Sequence, residues 1–111
     1  MDKQKIKEWF PSAFMRYTRF YKDLANADVP SEEHDDLILC REEIEDFMEL
    51  FPDELTDEQK KAIQKADRWI LEHADQVIPQ IRGFTNKPSA KYWWEHPSTL
   101  SQKAAQLMND E

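Results

Sequence analysis

The sequence predicts an all-α protein, a compact bundle of four or five helices with an irregular aromatic segment before the last helix, folded as a single helical domain over residues 1–111. Three observations carry this. There is one glycine in 111 residues, and tight hairpins depend on glycine because only it takes positive φ without penalty. Apolar residues recur at three-to-four spacing along most of the chain, the period of a helix buried on one side. No stretch shows the strict alternation of a half-buried strand. Hydrophobic residues make up 40% of the chain and include four tryptophans, three tyrosines and six phenylalanines. That is enough apolar surface to build a core despite 34% charged residues.

Ile6, Phe10, Ala13, Tyr17, Phe20 or Tyr21, and Leu24 form the first stripe, with Arg16, Arg19 and Lys22 on the opposite side. Pro11 lies inside this pattern, so either the helix kinks there or Pro11 opens a new helix, predicted over 12–25. Asn26 to Pro30 is a connector. Ser31 reads as an N-cap, with Glu32, Glu33 and Asp35 in the first turn where the helix dipole favours anions. The second helix, predicted over 32–51, buries Leu37, Cys40, Ile44, Phe47 or Met48, and Phe51, and stops at Pro52.

Thr56 to Gln59 is a capping box preceded by Leu55 as a staple residue, and it opens a helix predicted over 57–78. Its stripe is Ile63, Ala66, Ile70, Ala74, Val77 and Ile81, with Trp69 at the edge and expected to be well buried. Pro79 breaks the pattern and Gly83 is a natural terminator. Phe84 to Pro97 has no sustained period. A last helix is predicted over 98–108, with Leu100, Ala104 and Leu107 or Met108 inward.

Charge is distributed unevenly. Thirteen of the 27 residues from Glu32 to Glu58 are acidic and Arg41 is the only base among them; this block carries −12 and the remainder +4, within a total of −8. Such a field favours a basic partner and disfavours nucleic acid. No glycine-rich phosphate loop can be written, the single Cys40 allows no internal disulfide, and no signal-peptide core or membrane span is present. The expected location is cytoplasmic, with no membrane partner.

Metal and cofactor chemistry find little support in the spacing. The residues three before His34, His73 and His96 are Ser31, Ile70 and Trp93, so the Glu-x-x-His of di-iron bundles is missing. One cysteine and no His-x-x-x-His pair argue against zinc, and Asp53 to Glu58 lacks the pattern of a calcium loop. No catalytic residue, metal ligand or cofactor is assigned.

Two short segments resemble enzyme families. Glu42-Glu43-x-x-Asp46 with Glu72-x-x-Asp75 is similar to the magnesium-holding pattern of all-α nucleotide pyrophosphohydrolases, with Asp46 in place of a glutamate. Arg68-x-x-x-x-His73 resembles the Arg-x(4–6)-His signature of HEPN-type ribonucleases, with Trp69 where that family carries a polar residue. These resemblances imply an enzymatic alternative, metal-dependent in the first case.

The leading expectation is a small acidic helical protein that acts by protein–protein interaction, as an adaptor, regulator or inhibitor, one version being an anionic decoy of nucleic acid. Glu42, Glu43, Glu45, Asp46 and Glu49 lie in the middle and late turns of their helix, where the dipole and i,i+4 repulsion both disfavour anions. They are expected to face outward and meet either a basic partner or cations on adjoining helices. Tyr92, Trp93 and Trp94 complete the expected partner-binding set, with at least one tryptophan exposed as an anchor. A homodimer closed by the aromatics is left open.

Overall fold

The computed structural model describes residues 2–81 and 87–109; Gly83 and Phe84, read above as a terminator and the start of the aperiodic segment, lie outside them. It is an all-α bundle of five helices, with no strand among the described residues.

Helix α1 spans Lys3–Phe20 and is capped by Asp2, whose Oδ1 accepts the Gln4 N–H at 2.9 Å. It continues through Pro11, which corrects the start expected at residue 12. An interior proline costs about 3 kcal/mol. The helix keeps Ile6 and Phe10 in phase with Ala13 and Tyr17, all buried, and each large apolar side chain contributes about 1.5–3 kcal/mol on burial. Burial wins. A 3₁₀ turn over Tyr21–Ala25 then brings Tyr21 and Leu24 into the core. The connector beyond it is tied down by His34, whose Nε2–H lies 2.9 Å from both the Asp23 and Asn26 carbonyls.

Helix α2, Ser31–Leu50, runs antiparallel to α1, and the Phe10 and Phe47 rings stack at 3.8 Å. Ser31 is its first residue and does not cap it. Pro30 holds the cap position, and its carbonyl accepts the Glu33 and His34 N–H groups. Helix α3, Asp57–Glu72, begins with the capping box read from the sequence: Thr56 Oγ1 accepts Gln59 N–H at 3.1 Å, and Gln59 Oε1 accepts Thr56 N–H at 3.0 Å. Replacing Thr56 with alanine is expected to cost about 1 kcal/mol in urea denaturation, and no change would show that the cap is dispensable.

The helix expected over 57–78 breaks at His73. That residue leaves helical geometry, its ring stacks 3.9 Å from Trp69, and its Nδ1–H donates to the Trp69 carbonyl at 2.8 Å. The Trp69 carbonyl thus accepts twice from His73, from the ring and from the backbone N–H at 3.0 Å, and this pair of hydrogen bonds fixes the residue at the helix end. A short α4, Ala74–Val77, and a 3₁₀ turn over Ile78–Gln80 carry the apolar stripe onward. Trp69 is half-buried, not fully buried as expected, because it sits between Tyr21 and His73 at the rim of the core. Helix α5, Pro97–Asn109, closes the bundle with Leu100 fully buried.

A polar knot joins α1, α2 and α3 at the centre. The Arg41 guanidinium, 3% exposed, donates to Asp67 through Nε at 3.0 Å and Nη2 at 2.9 Å, and to Glu45 through Nη1 at 3.0 Å. The Tyr17 hydroxyl donates to Asp67 Oδ1 at 2.5 Å. Trp94 lies over the guanidinium at 4.4 Å. Burial opposes the Arg41 charge, but Asp67 outweighs it and holds the side chain protonated. Burial, then the Asp67 carboxylate, pushes the Tyr17 hydroxyl well above its ordinary value.

Candidate functional site

Helix α2 is buried on two sides. Leu37, Cys40, Ile44 and Phe47 pack in the core with α1, while Arg41 and Glu42 are buried on the other side. The segment from Lys87 to His96 crosses that second side, and it organises most of the acids singled out from the sequence. Glu42 is buried and pairs with Lys87 at 2.8 Å. Asp46 is half-buried, accepts the Tyr92 hydroxyl at 3.0 Å and lies 3.9 Å from Lys91. Glu49 is exposed and pairs with Lys91, and half-buried Glu45 pairs with Arg41. The expectation that these acids all project into water is therefore corrected. Their offset is internal and comes mainly from Lys87, Lys91 and Arg41. From the Arg16, Arg19 and Lys22 face only Arg16 contributes, pairing with Asp36 and acting on Glu43 through its charge.

The aromatics are corrected too. Tyr92, Trp93 and Trp94 are all buried, so the exposed anchor expected among them is not there. A 3₁₀ turn over Trp93–Glu95 supplies the reason. With about three residues per turn it splays neighbours widely, and the indoles stand perpendicular with centroids 5.6 Å apart. Each meets a different helix: Trp93 lies under Lys103 of α5, and Trp94 over Arg41 of α2.

Glu95 belongs to this lid. Burial first, and then its hydrogen bond and charge interaction with Glu42, push its carboxyl up to about 8, against the pull of Lys87. The neutral acid is the form this setting favours, and its Oε2 is buried without a hydrogen-bond partner. His96 fastens the segment's two ends together, its Nε2–H donating to the Lys87 carbonyl at 2.8 Å.

The enzyme-like patterns are placed as follows. Glu42 and Asp46 are occupied by the lid, Glu72 is exposed and pairs with Arg68 at 3.6 Å, and Asp75 is exposed on α4. Among the described residues, no group of three or more His, Cys, Asp and Glu side chains is placed to hold a metal ion. Arg68 lies on the exposed side of α3, and His73 is stacked on Trp69 with Nδ1 committed to a backbone carbonyl. No helix among the described residues is long and apolar enough to cross a membrane.

The outer groove between α1 and α2 is a different kind of surface. One section, about 270 Å³, is lined by Glu8, Trp9, Ser12, Arg16, Leu39 and Glu43, with Cys40 and Asp36 between them. The next, about 210 Å³, is lined by Arg16, Phe20, Asp23, Glu33 and Leu37. Trp9 is 48% exposed, Leu39 49% and Phe20 46%. Trp9, Ser12, Arg16 and Phe20 follow one another at helical spacing on one ridge of α1. Five carboxylates and one guanidinium line the two sections, and that guanidinium is paired with Asp36. Burial raises the Glu43 carboxyl, and neighbouring Asp36 and Glu42 raise it further against Arg16. Burial likewise pushes the Cys40 thiol up to about 11, so it stays neutral at the groove floor.

Of the partner-binding residues expected from the sequence, Glu43 alone lines this groove. Trp9 and Leu39 were missed, although a signal existed: both break the phase of their stripes, Trp9 beside Phe10 and Leu39 between Leu37 and Cys40. Large apolar residues out of phase are left for solvent or for a partner. Phe20 was grouped with Tyr21, and the 3₁₀ turn sends Tyr21 inward and leaves Phe20 outside. No protein-family model matches the chain, and comparisons with curated proteins and with solved structures found no match.

Proposed function

We propose that this protein works by binding another protein through the α1–α2 groove, and that the contacting surface of that partner is basic. The observation that carries the reading is the half-exposed Trp9 and Leu39 set in one groove among Glu8, Asp36 and Glu43. Tryptophan is enriched among the residues that carry interface binding energy, and it holds a partner where water is excluded from its face. The carboxylates around it supply long-range attraction to cations and raise the association rate. These features support a reading of the protein as an adaptor, regulator or inhibitor that acts by occupancy.

The test uses the whole chain as bait, beside a Trp9→Ser/Leu39→Ser bait that changes only half-exposed side chains. A partner of this groove is retained by the wild-type bait at about 0.05 M salt, released at about 0.5 M as screening lengths shorten, and bound about thirtyfold or more weakly by the double variant. Equal retention by both baits, or retention insensitive to salt, would overturn the proposal.

A further inference from the structure

Resting on that reading, we propose that the occupant of the α1–α2 groove is an amphipathic helix of about three turns, apolar along one side and bearing lysine or arginine on its flank, one cation of which takes Asp36 over from Arg16. Three observations point there.

The first is length. Trp9 and Phe20 mark the two ends of one ridge on α1 and lie eleven residues apart, which is about 16 Å along a helix. A helix laid alongside spans that distance in about three turns, bringing apolar side chains to the Trp9/Leu39 section and to the Phe20/Leu37 section.

The second is backbone hydrogen bonding. Both walls of the groove are helices whose peptide groups are bonded internally apart from the turn at Pro11, and no strand edge exists among the described residues. An extended peptide has nothing to pair with there and would leave its N–H and C=O groups unsatisfied on an apolar floor. A helical ligand satisfies its own backbone and presents only side chains.

The third is charge. Glu8, Asp23, Glu33, Asp36 and Glu43 line the two sections, with Arg16 as the only base among the described residues. The Arg16–Asp36 pair stands at the junction between the sections, and both side chains are substantially exposed. Exposed pairs of this kind are worth little, so an incoming cation can replace Arg16 at small cost. The exchange opens the middle of the groove and joins the two sections into one trough.

The probe is a synthetic peptide of about 18 residues built from leucine and lysine at helical spacing, titrated into the whole protein and followed by the Trp9 indole N–H and backbone amide shifts. Two controls accompany it: the same peptide with a central proline, which cannot hold the helix, and the same pattern with glutamate in place of lysine. The expected result is binding of the helical lysine peptide alone, with shifts confined to the two groove walls. Leu39→Ser and Asp36→Asn should each weaken it about tenfold. Arg16→Gln should strengthen it several-fold, because the internal competitor for Asp36 is gone. Equal binding of the proline peptide would overturn the helical occupant while leaving a basic partner in place. Failure of every lysine peptide, or shifts centred away from the groove, would remove the basic-partner reading together with it. Weaker binding in Arg16→Gln would overturn the exchange at Asp36.

Discussion

The Asp67→Ala variant is expected to lose about 3–5 kcal/mol of folding stability. Asp67 sits where α1, α2 and α3 meet, and it takes two hydrogen bonds from Arg41 and one from Tyr17. Its removal leaves a guanidinium that is 3% exposed with Glu45 as its remaining carboxylate partner. It also leaves a fully buried tyrosine hydroxyl without an acceptor. An uncompensated buried charge is far more damaging than the loss of an ion pair as such. A domain of this size is typically stable by only about 5–15 kcal/mol, so the variant should be partly unfolded at modest urea. The Arg41→Met/Tyr17→Phe/Asp67→Leu triple variant removes the charge with its Asp67 and Tyr17 partners, leaves only the half-buried Glu45, which water can reach, and should recover much of the loss. Urea denaturation of the two variants decides the matter. A loss below about 1 kcal/mol for Asp67→Ala would mean that water or Glu45 compensates Arg41 and that the knot is not the keystone of the bundle.

A pH effect is also expected from the lid. Glu95 ionises at about 8 in the folded protein against 4.5 ordinarily, so the folded state holds a proton that the unfolded chain gives up. The stability contributed by this group is intact below about pH 4.5, and it is lost as pH rises through about 8. Between those values one bound proton corresponds to a slope of at most about 1.4 kcal/mol per pH unit. Other carboxylates add slopes of their own, so the measurement is the difference between wild type and Glu95→Gln. Glutamine donates an N–H to Glu42 at every pH. The variant should therefore match wild type near pH 5 and exceed it progressively toward pH 9. The Tyr92 and Trp94 resonances should report the loosening directly, since both belong to the same segment and hold it to α2 through Asp46 and Arg41. Parallel stability curves for the two proteins would show that Glu42 and Glu95 do not share a proton.

The helical class, the element order and most of the buried stripes could be read from the chain alone, because amphipathicity is a local property. Ile6, Phe10, Ala13 and Tyr17, or Ile63, Ala66 and Ile70, announce a buried face through spacing that needs no knowledge of the partner helix. The Thr56–Gln59 box was legible for the same reason, since both of its hydrogen bonds close within four residues. Where the chain misled, a longer-range contact decided the outcome. A proline inside α1 was outweighed by burial of the residues on either side of it. The acids of α2 looked like a solvated or partner-binding face because charge and helical angle are silent on what arrives from the far end of the chain. Tyr92 reaches Asp46 across 46 positions and Lys91 reaches Glu49 across 42, and those contacts turn an apparent outer surface into the seat of a lid. The same lid buries Tyr92, Trp93 and Trp94. With it in place, Trp9, Met15, Phe20, Leu39 and Leu50 remain as exposed apolar side chains along α1 and α2, and Trp9, Phe20 and Leu39 of these line the groove. Local periodicity determined which residues form helices; only the tertiary structure decided which of the remaining faces would meet lysines, other aromatics or water, since that depends on pairings no local pattern encodes.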